Sequence, residues 1–561
     1  DSTAKLWNIV TGKCIATLKG HKGIINYVDM GSAAKYFVTA SEDKTAKIWD
    51  ATAQKCLFTL EGHTDKITSV DYDKYGKQII TTSADNTCKL WDAKTGKLIS
   101  TFIAIGTTDF ITMAADGYYQ SSPNAAKLLY YVTKDLKTIS FDQLDLKYNR
   151  PDKILQLMGN TDTTLIASYK SAYYKRVKKI GVDTTSFTND FSVPILDFVN
   201  AGSLAAEQKN NQLKIKIHAA DNSIYLNKFN VWVNETPVFG MKGIDLKKRK
   251  IISFDTTITI TLSTEQNTIE ASVVNMNGTE SYRSPLNINY KPVAPVQPKI
   301  YFIGIGINQF KEEGHNLSWS VKDIHDLVLK FKEKSGNNFI VDTLFDENVT
   351  VKNVLAIKAR LKKLDVNDKV ILAYSGHGLL SKNFDYYLST YTVNFNDPES
   401  EGLLYDELEN LFDGIAPRKK LMLIDACHSG EVDKEDLVMA EQSKASLETQ
   451  GIKGVSLKVR PTKKAGSKNS FEIMQSFFAN VSRSTGTTVI SAAAGTQYAL
   501  EKGDLRNGVF TYSVIEAMGK YKTITVQALK RYVTARVVQL TNGMQKPNSR
   551  AETNMTDWNV W

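Results

Sequence analysis

Two residues of this chain stand where thiol chemistry could be done. His377 lies in Ser375-Gly376-His377-Gly378, directly after the apolar run 370–374, and Cys427 lies in Asp425-Ala426-Cys427-His428-Ser429-Gly430, directly after the apolar run 421–424. A free thiol has a pKa of about 8.5 and is mostly protonated at neutral pH, so it needs a nearby imidazole to take or share its proton. With that partner Cys427 would attack a carbonyl carbon, and His377 would return a proton to the leaving amine. The resulting oxyanion needs fixed donors, for which the backbone N–H groups of Cys427 and Gly378 are the candidates. Glycines on both sides of His377 would let the backbone approach a substrate closely and take up unusual dihedrals. His428 is a second candidate base, but as the chain neighbour of Cys427 its ring is expected to point elsewhere. Taken singly, such residues read as a satisfied core histidine and a buried thiol; it is the pairing that argues for chemistry.

The elements that must position the pair lie in residues 299–561. Residues 300–305 read as a buried strand, 319–334 carry helical periodicity, and 370–374 and 421–424 are two further apolar strands. Such strand–helix alternation predicts a mostly parallel sheet covered on both faces. Functional groups in these sheets sit at the carboxyl ends of strands, where both motifs fall. YSGHG and DACHSG, with His377 and Cys427 fifty positions apart, resemble the caspase-like superfamily and, within it, the metacaspase and bacterial caspase-homologue branch. Residues 488–493 and 508–512 continue the likeness, resembling the strand and the segment after it in the later part of that fold. The resemblance implies a cysteine endopeptidase working with a His377–Cys427 dyad and no required cofactor, acting on a protein or peptide.

Asp425 and His428 stand where animal caspases carry Gln and Arg around the nucleophile. A carboxylate there attracts Lys or Arg and repels Asp. Metacaspases carry Asp at this position, so the resemblance implies cleavage after basic residues, with Ser375 at another pocket-lining position. The alternative for Asp425 is a cap on the following turn. Between 431 and 470 lies a polar stretch with Lys453, Lys458, Arg460, Lys463, Lys464 and Lys468. Relatives are often cut in the equivalent linker, which makes it either a self-processing segment or a surface loop. Asp397, Glu399 and Glu401, with Asp433, Glu435 and Asp436, are oxygen donors suited to calcium, though without a fixed loop spacing and equally suited to solvent.

The rest of the chain reads as all-β. DSTAKLW, DKTAKIW and DNTCKLW set Trp7, Trp49 and Trp91 at 42-residue intervals, and Gly20-His21 recurs as Gly62-His63. These marks resemble WD40 repeats over 1–115, which implies a protein-binding platform built from four-stranded blades; fewer than three blades are visible, so upstream blades are expected. A transition segment follows at 116–190. Strands of period two at 191–291 read as a β-sandwich resembling bacterial Ig-like modules and serving as a spacer, and Pro292, Pro295 and Pro298 mark a linker at 292–298.

The formal charge of +10 is spread over the 561 residues, and the basic runs 173–179 and 247–250 lack any surrounding nucleic-acid motif, so a solvated face is the expectation for both. Cys14 and Cys56 recur with the repeat and show no disulfide or zinc spacing, which suits a reducing, cytoplasmic compartment. No apolar run approaches the length needed to cross a membrane. The other reading of the whole chain is a WD40 scaffold whose peptidase-like domain is inactive.

Overall fold

The 42-residue repeat folds as antiparallel sheets because each unit alternates turn residues with strands that bury one face. The computed structural model describes the chain apart from residues 32–34, 123–124, 134–135, 137, 189, 383–384, 427–484, 494–498 and 552–556. It divides into two compact units, Asp1–Tyr174 and Lys175–Trp561.

In the first unit, Thr3–Trp7 pairs with Cys14–Lys19, and the four strands from Ile25–Met30 to Lys55–Leu60 form one meander. The next sheet has six strands, from Ile67–Tyr72 to Tyr119–Ser121, two more than the four expected of a blade. Its last strand falls in the stretch read as a transition. Buried Tyr119 ties it to the helix Phe141–Tyr148, with its hydroxyl 3.0 Å from Asp145 Oδ1 and its ring edge-on to Phe141 at 5.0 Å.

A polar tetrad recurs in the repeats of Trp49 and Trp91. His21 contacts Asp43 at 2.8 Å and Thr39 Oγ1 at 2.7 Å, and Trp49 Nε1 donates to the same hydroxyl at 2.9 Å. His63, Asp85, Thr81 and Trp91 repeat the arrangement at 2.9, 2.8 and 2.8 Å. Burial lowers the pKa of both histidines and outweighs the raising effect of their aspartates. The carboxylate of Asp43 is pushed up by burial, but hydrogen bonds from Thr45, Lys22 and His21 prevail and hold it well below the usual range.

Lys175–Trp561 contains two layered structures. The first is a β-sandwich. One sheet is Ile195–Phe198, Gln212–Ala220 and Ser253–Thr261; the other centres on Leu226–Val233, Glu265–Asn275 and Leu286–Tyr290. Ile215, Ile217 and Ile260 from one sheet meet Val231, Ile269 and Val273 from the other. The second structure is an α/β sheet of β1 (Ile300–Gly306), β2 (Phe339–Phe345), β3 (Lys369–Ser375), β4 (Lys419–Asp425), β5 (Thr488–Ser491) and β6 (Asn548–Ala551), in the order β2-β1-β3-β4-β5-β6. All neighbours are parallel except β5 and β6. Apolar clusters cover both faces. Helix α1 (Ser320–Ser335) buries Ile324, Leu327 and Phe331 at helical spacing. It lies so close to β1 that a Cβ at Gly304 would come within 2.4 Å of Ile324.

Two expectations change here. The sandwich is more than a spacer, because it is hydrogen-bonded to the α/β part. The buried Arg418 guanidinium donates to the Thr261 carbonyl at 2.9 Å, Asn367 Oδ1 accepts from Thr264 N–H at 2.7 Å, and Asp413 accepts from Met241 N–H at 2.7 Å. The basic run 173–179 closes the helix Thr163–Lys179 and is not a solvated face: Lys175 pairs with Asp385, and Lys179 pairs with Asp406 at 3.0 Å and with buried Glu409. In the run 247–250, residues 248–250 are exposed as expected, while Lys247 reaches the Gly181 carbonyl at 3.0 Å.

The tetrads make acid pH destabilising. An unfolded histidine titrates near about 6.5; the folded ones titrate lower, so the unfolded chain binds protons first as pH falls and stability present above that value is lost. Protection of the amides in the strand Thr87–Asp92, corrected for the base-catalysed intrinsic exchange rate, should therefore fall between pH 7 and pH 5, and His63→Gln should flatten that dependence.

Candidate active site

The geometry of the site begins with strand register. Strands β3 and β4 pair in parallel with Tyr374 opposite Ile424 and Ser375 opposite Asp425, and Gly376 N–H continues the ladder to the Asp425 carbonyl at 3.2 Å. His377 follows two residues beyond Ser375. Cys427, two beyond Asp425, lies outside the described residues, as do His428 and the segment 431–470.

His377 is 3% exposed and is held through its backbone, its ring faces and Nε2. Its N–H donates to Ser389 Oγ at 3.1 Å, and its carbonyl accepts from Ser389 N–H at 2.9 Å. The Tyr374 hydroxyl lies 2.8 Å from Ser389 Oγ and 3.2 Å from the His377 carbonyl. The ring sits beside Phe310, at 5.3 Å, and edge-on to Phe395, at 5.5 Å. Nε2 is 2.7 Å from the His315 carbonyl oxygen. A carbonyl only accepts, so Nε2 carries the hydrogen, and in the neutral ring Nδ1 is the nitrogen that takes a proton.

The flanking glycines do not take up the unusual dihedrals that the sequence suggested. Neither Gly376 nor Gly378 is among the described glycines with positive φ. Gly376 is required by space, since a Cβ there would lie 2.6 Å from Ile307 Cγ2 and from the Tyr374 hydroxyl. Gly378 is buried and opens the short strand Gly378–Leu380, paired with Leu388.

Beside His377, three buried oxygen-bearing side chains gather. Ser375 (0% exposed) donates its hydroxyl to Asp323 Oδ2 at 2.8 Å. Asp323, fully buried in the first turn of α1, accepts on its other oxygen from Asn507 Nδ2 at 3.0 Å and Gly508 N–H at 2.9 Å. Asp425 (1% exposed) accepts from the Thr511 hydroxyl at 2.6 Å and the Thr511 N–H at 3.2 Å. Thr511 lies in the first turn of α2 (Val509–Lys520), where the helix dipole favours a negative charge. Asp425 thus caps a helix start distant in sequence, while the turn that follows it lies outside the described residues.

Sequence reasoning missed Asp323 and the His315 carbonyl. Asp323 carried a faint signal, an acid in the first turn of an amphipathic helix; a backbone carbonyl carries none. Among the described residues no group of three or more His, Cys, Asp or Glu is arranged to hold a metal ion. Asp397, Glu399 and Glu401 are described, and Glu401 accepts from the Thr392 hydroxyl. Asp433, Glu435 and Asp436 lie outside the described residues. Among the described residues no helix is long and apolar enough to cross a membrane.

Comparison with known proteins identifies the domains at the two ends of the chain. The family model of the caspase domain matches residues 303–557, and that of the WD domain, G-beta repeat, matches residues 12–50 and 54–92. The chain carries a caspase domain, the domain of a cysteine-peptidase family, together with N-terminal WD40 repeats. No curated relative matches the chain. Among solved structures, the crystal structure of protein GSU0716 from Geobacter sulfurreducens is similar at 20% identity and a TM-score of 0.30, covering 45% of this chain and 92% of that one.

The Asp425–Thr511 pair should be energetically coupled. Asp425→Ala should destabilise the protein by about 1–3 kcal/mol, and a double-mutant cycle with Thr511→Val, read by denaturant unfolding, should return a coupling of at least about 0.5 kcal/mol. Additive effects would mean that the contact holds nothing.

Proposed function

We propose that this chain is a cysteine endopeptidase that cleaves after Arg or Lys, with Cys427 as nucleophile and His377 as general base. The observation that carries the reading is the in-register pairing of Ser375 with Asp425. Parallel neighbours lie about 4.8 Å apart, so two chains leaving these positions start from one rim. His377 Nδ1 takes the thiol proton as sulfur attacks the scissile carbonyl. The imidazolium formed is steadied through Nε2 by the His315 carbonyl and then gives its Nδ1 proton to the leaving amine. Water hydrolyses the thioester by the same exchange run in reverse. The backbone N–H groups of Gly378 and Cys427 are assigned to the oxyanion.

Specificity in this reading rests on charge: the buried carboxylates of Asp425 and Asp323 are assigned to the base of the specificity pocket, with the Ser375 hydroxyl at the end of β3 bonded to Asp323. A guanidinium presents five donors in a planar fork suited to carboxylates, whereas an acidic side chain would meet like charge. The basic segment 453–468 supplies this chemistry within the same chain, so the enzyme cuts itself there. The WD40 repeats serve as the protein-binding platform that selects a partner.

Fluorogenic peptides with Arg, Lys or Asp before the leaving group test the reading. Arg should exceed Asp in kcat/KM by at least about 100-fold, and Cys427→Ala should abolish turnover. Asp323→Asn should weaken the Arg substrate by about 2 kcal/mol or more, chiefly in KM. Faster cleavage after Asp would overturn the assignment of the acids, and no turnover on any peptide would favour an inactive scaffold. Intact mass spectrometry of wild type beside Cys427→Ala tests self-cleavage: identical masses would sink it.

A further inference from the structure

We propose that His315 is a positioning residue for the general base, its imidazole setting where its own carbonyl receives the Nε2–H of His377. The inference rests on the peptidase reading and extends it to a side chain outside the reacting groups.

The loop carrying this carbonyl is pinned at its ends. Lys311 N–H donates to the Tyr391 carbonyl at 2.9 Å, and Leu317 N–H donates to the Asn308 carbonyl at 2.8 Å. Between them Gly314 turns the chain at φ +97°, and nothing lies within 4 Å of where its Cβ would be. A glycine in that conformation in open space gives its peptide neighbours little restraint. Restraint comes from Asn316, whose Oδ1 accepts from Phe310 N–H at 3.0 Å, and from the His315 side chain. The His315 ring stacks on Phe395 with centroids 3.8 Å apart and planes 21° from parallel. Its Nε2 is 3.5 Å from Glu312 Oε1, and the other oxygen of Glu312 accepts from Phe395 N–H at 3.3 Å. Phe395 in turn meets the His377 ring edge-on at 5.5 Å and Phe310 at 5.1 Å.

His315 therefore touches the general base by two routes, its carbonyl on Nε2 and its ring through Phe395. Both routes depend on one clamp between an aromatic face and a carboxylate. Releasing the clamp leaves the carbonyl between the Gly314 hinge and the Asn316 contact, with less to hold it against Nε2. The imidazolium that forms during thiol attack then loses its fixed acceptor, and the ring loses the orientation that aims Nδ1.

The test compares His315→Ala, which removes the clamp, with His315→Phe, which keeps the stack. For each, kcat, KM and the pH profile of kcat/KM are measured on the Arg peptide, and iodoacetamide labelling of the Cys427 peptide is timed by mass spectrometry. His315→Ala should lower kcat about tenfold or more, because small misplacements of a reacting group cost up to about 100-fold. It should leave KM within about twofold, move the acid limb of the pH profile and slow Cys427 labelling at neutral pH. His315→Phe should recover most of each loss. Wild-type kcat and pH profile in His315→Ala, or a His315→Phe no better than His315→Ala, would overturn the role while leaving the peptidase reading intact. If Cys427 in the wild type labels no faster than in His377→Ala, the dyad itself fails and this role falls with it.

Discussion

The constraint on which the site depends is the parallel register of β3 against β4. A side-chain period of two means that a slip of one residue would turn Ser375 and Asp425 to the opposite face of the sheet and shift the exit of each chain. The register is fixed by what lies on either side of it. Phe302, Ile371 and Leu421 face one apolar cluster, and Tyr301, Leu372 and Met422 face the other, so neither strand can slide without exposing a row of side chains. The polar contacts at the rim are then small corrections to a frame set by hydrophobic burial. Ser375 to Asp323 and Asp425 to Thr511 bind the strand ends to the first turns of α1 and α2. These helices come from opposite ends of the domain sequence and pack on one face, where α1 brings Asp323 to the end of β3 and the strand register brings Asp425 beside it on β4.

Much of this was legible in the sequence. The apolar runs, the glycine-flanked histidine and the repeat of Trp49 and Trp91 are local patterns, and local patterns report strands, turns and periodic repeats directly. Less legible were the relations that depend on tertiary approach. Gly376 read as a hinge, yet the side chains of Ile307 and Tyr374 are what demand it. Asp425 read either as a pocket acid or as a cap on the next turn; its partner Thr511 is 86 residues away. Asp323 and the carbonyl of His315 had no motif to mark them. In the repeats, Gly-His and Trp were visible, but Thr39 and Asp43, which complete the buried network, are short polar residues common in any turn-rich sequence.

Charge was the other quantity that composition could not place. The run 173–179 has the look of a solvated helix end, but Lys175 meets Asp385 and Lys179 meets Asp406 and buried Glu409. Those acids border the short strands that follow His377, so the basic helix end braces the segment next to the histidine. A net charge says nothing about such pairing, because it averages over the distances on which pairing depends.

The buried guanidinium of Arg418 has a practical consequence for anyone dissecting the chain. Burial lowers its pKa to about 10, so at neutral pH it remains a cation, and one of the acceptors it reaches is a carbonyl of the sandwich. The prolines at 292, 295 and 298 look like the natural place to cut. A fragment beginning there would keep the cation and discard its acceptor, immediately before the strand that leads to the thiol. The unit fit for separate preparation therefore starts upstream of the sandwich, and its boundary is marked by a hydrogen bond where the sequence seemed to mark it by prolines.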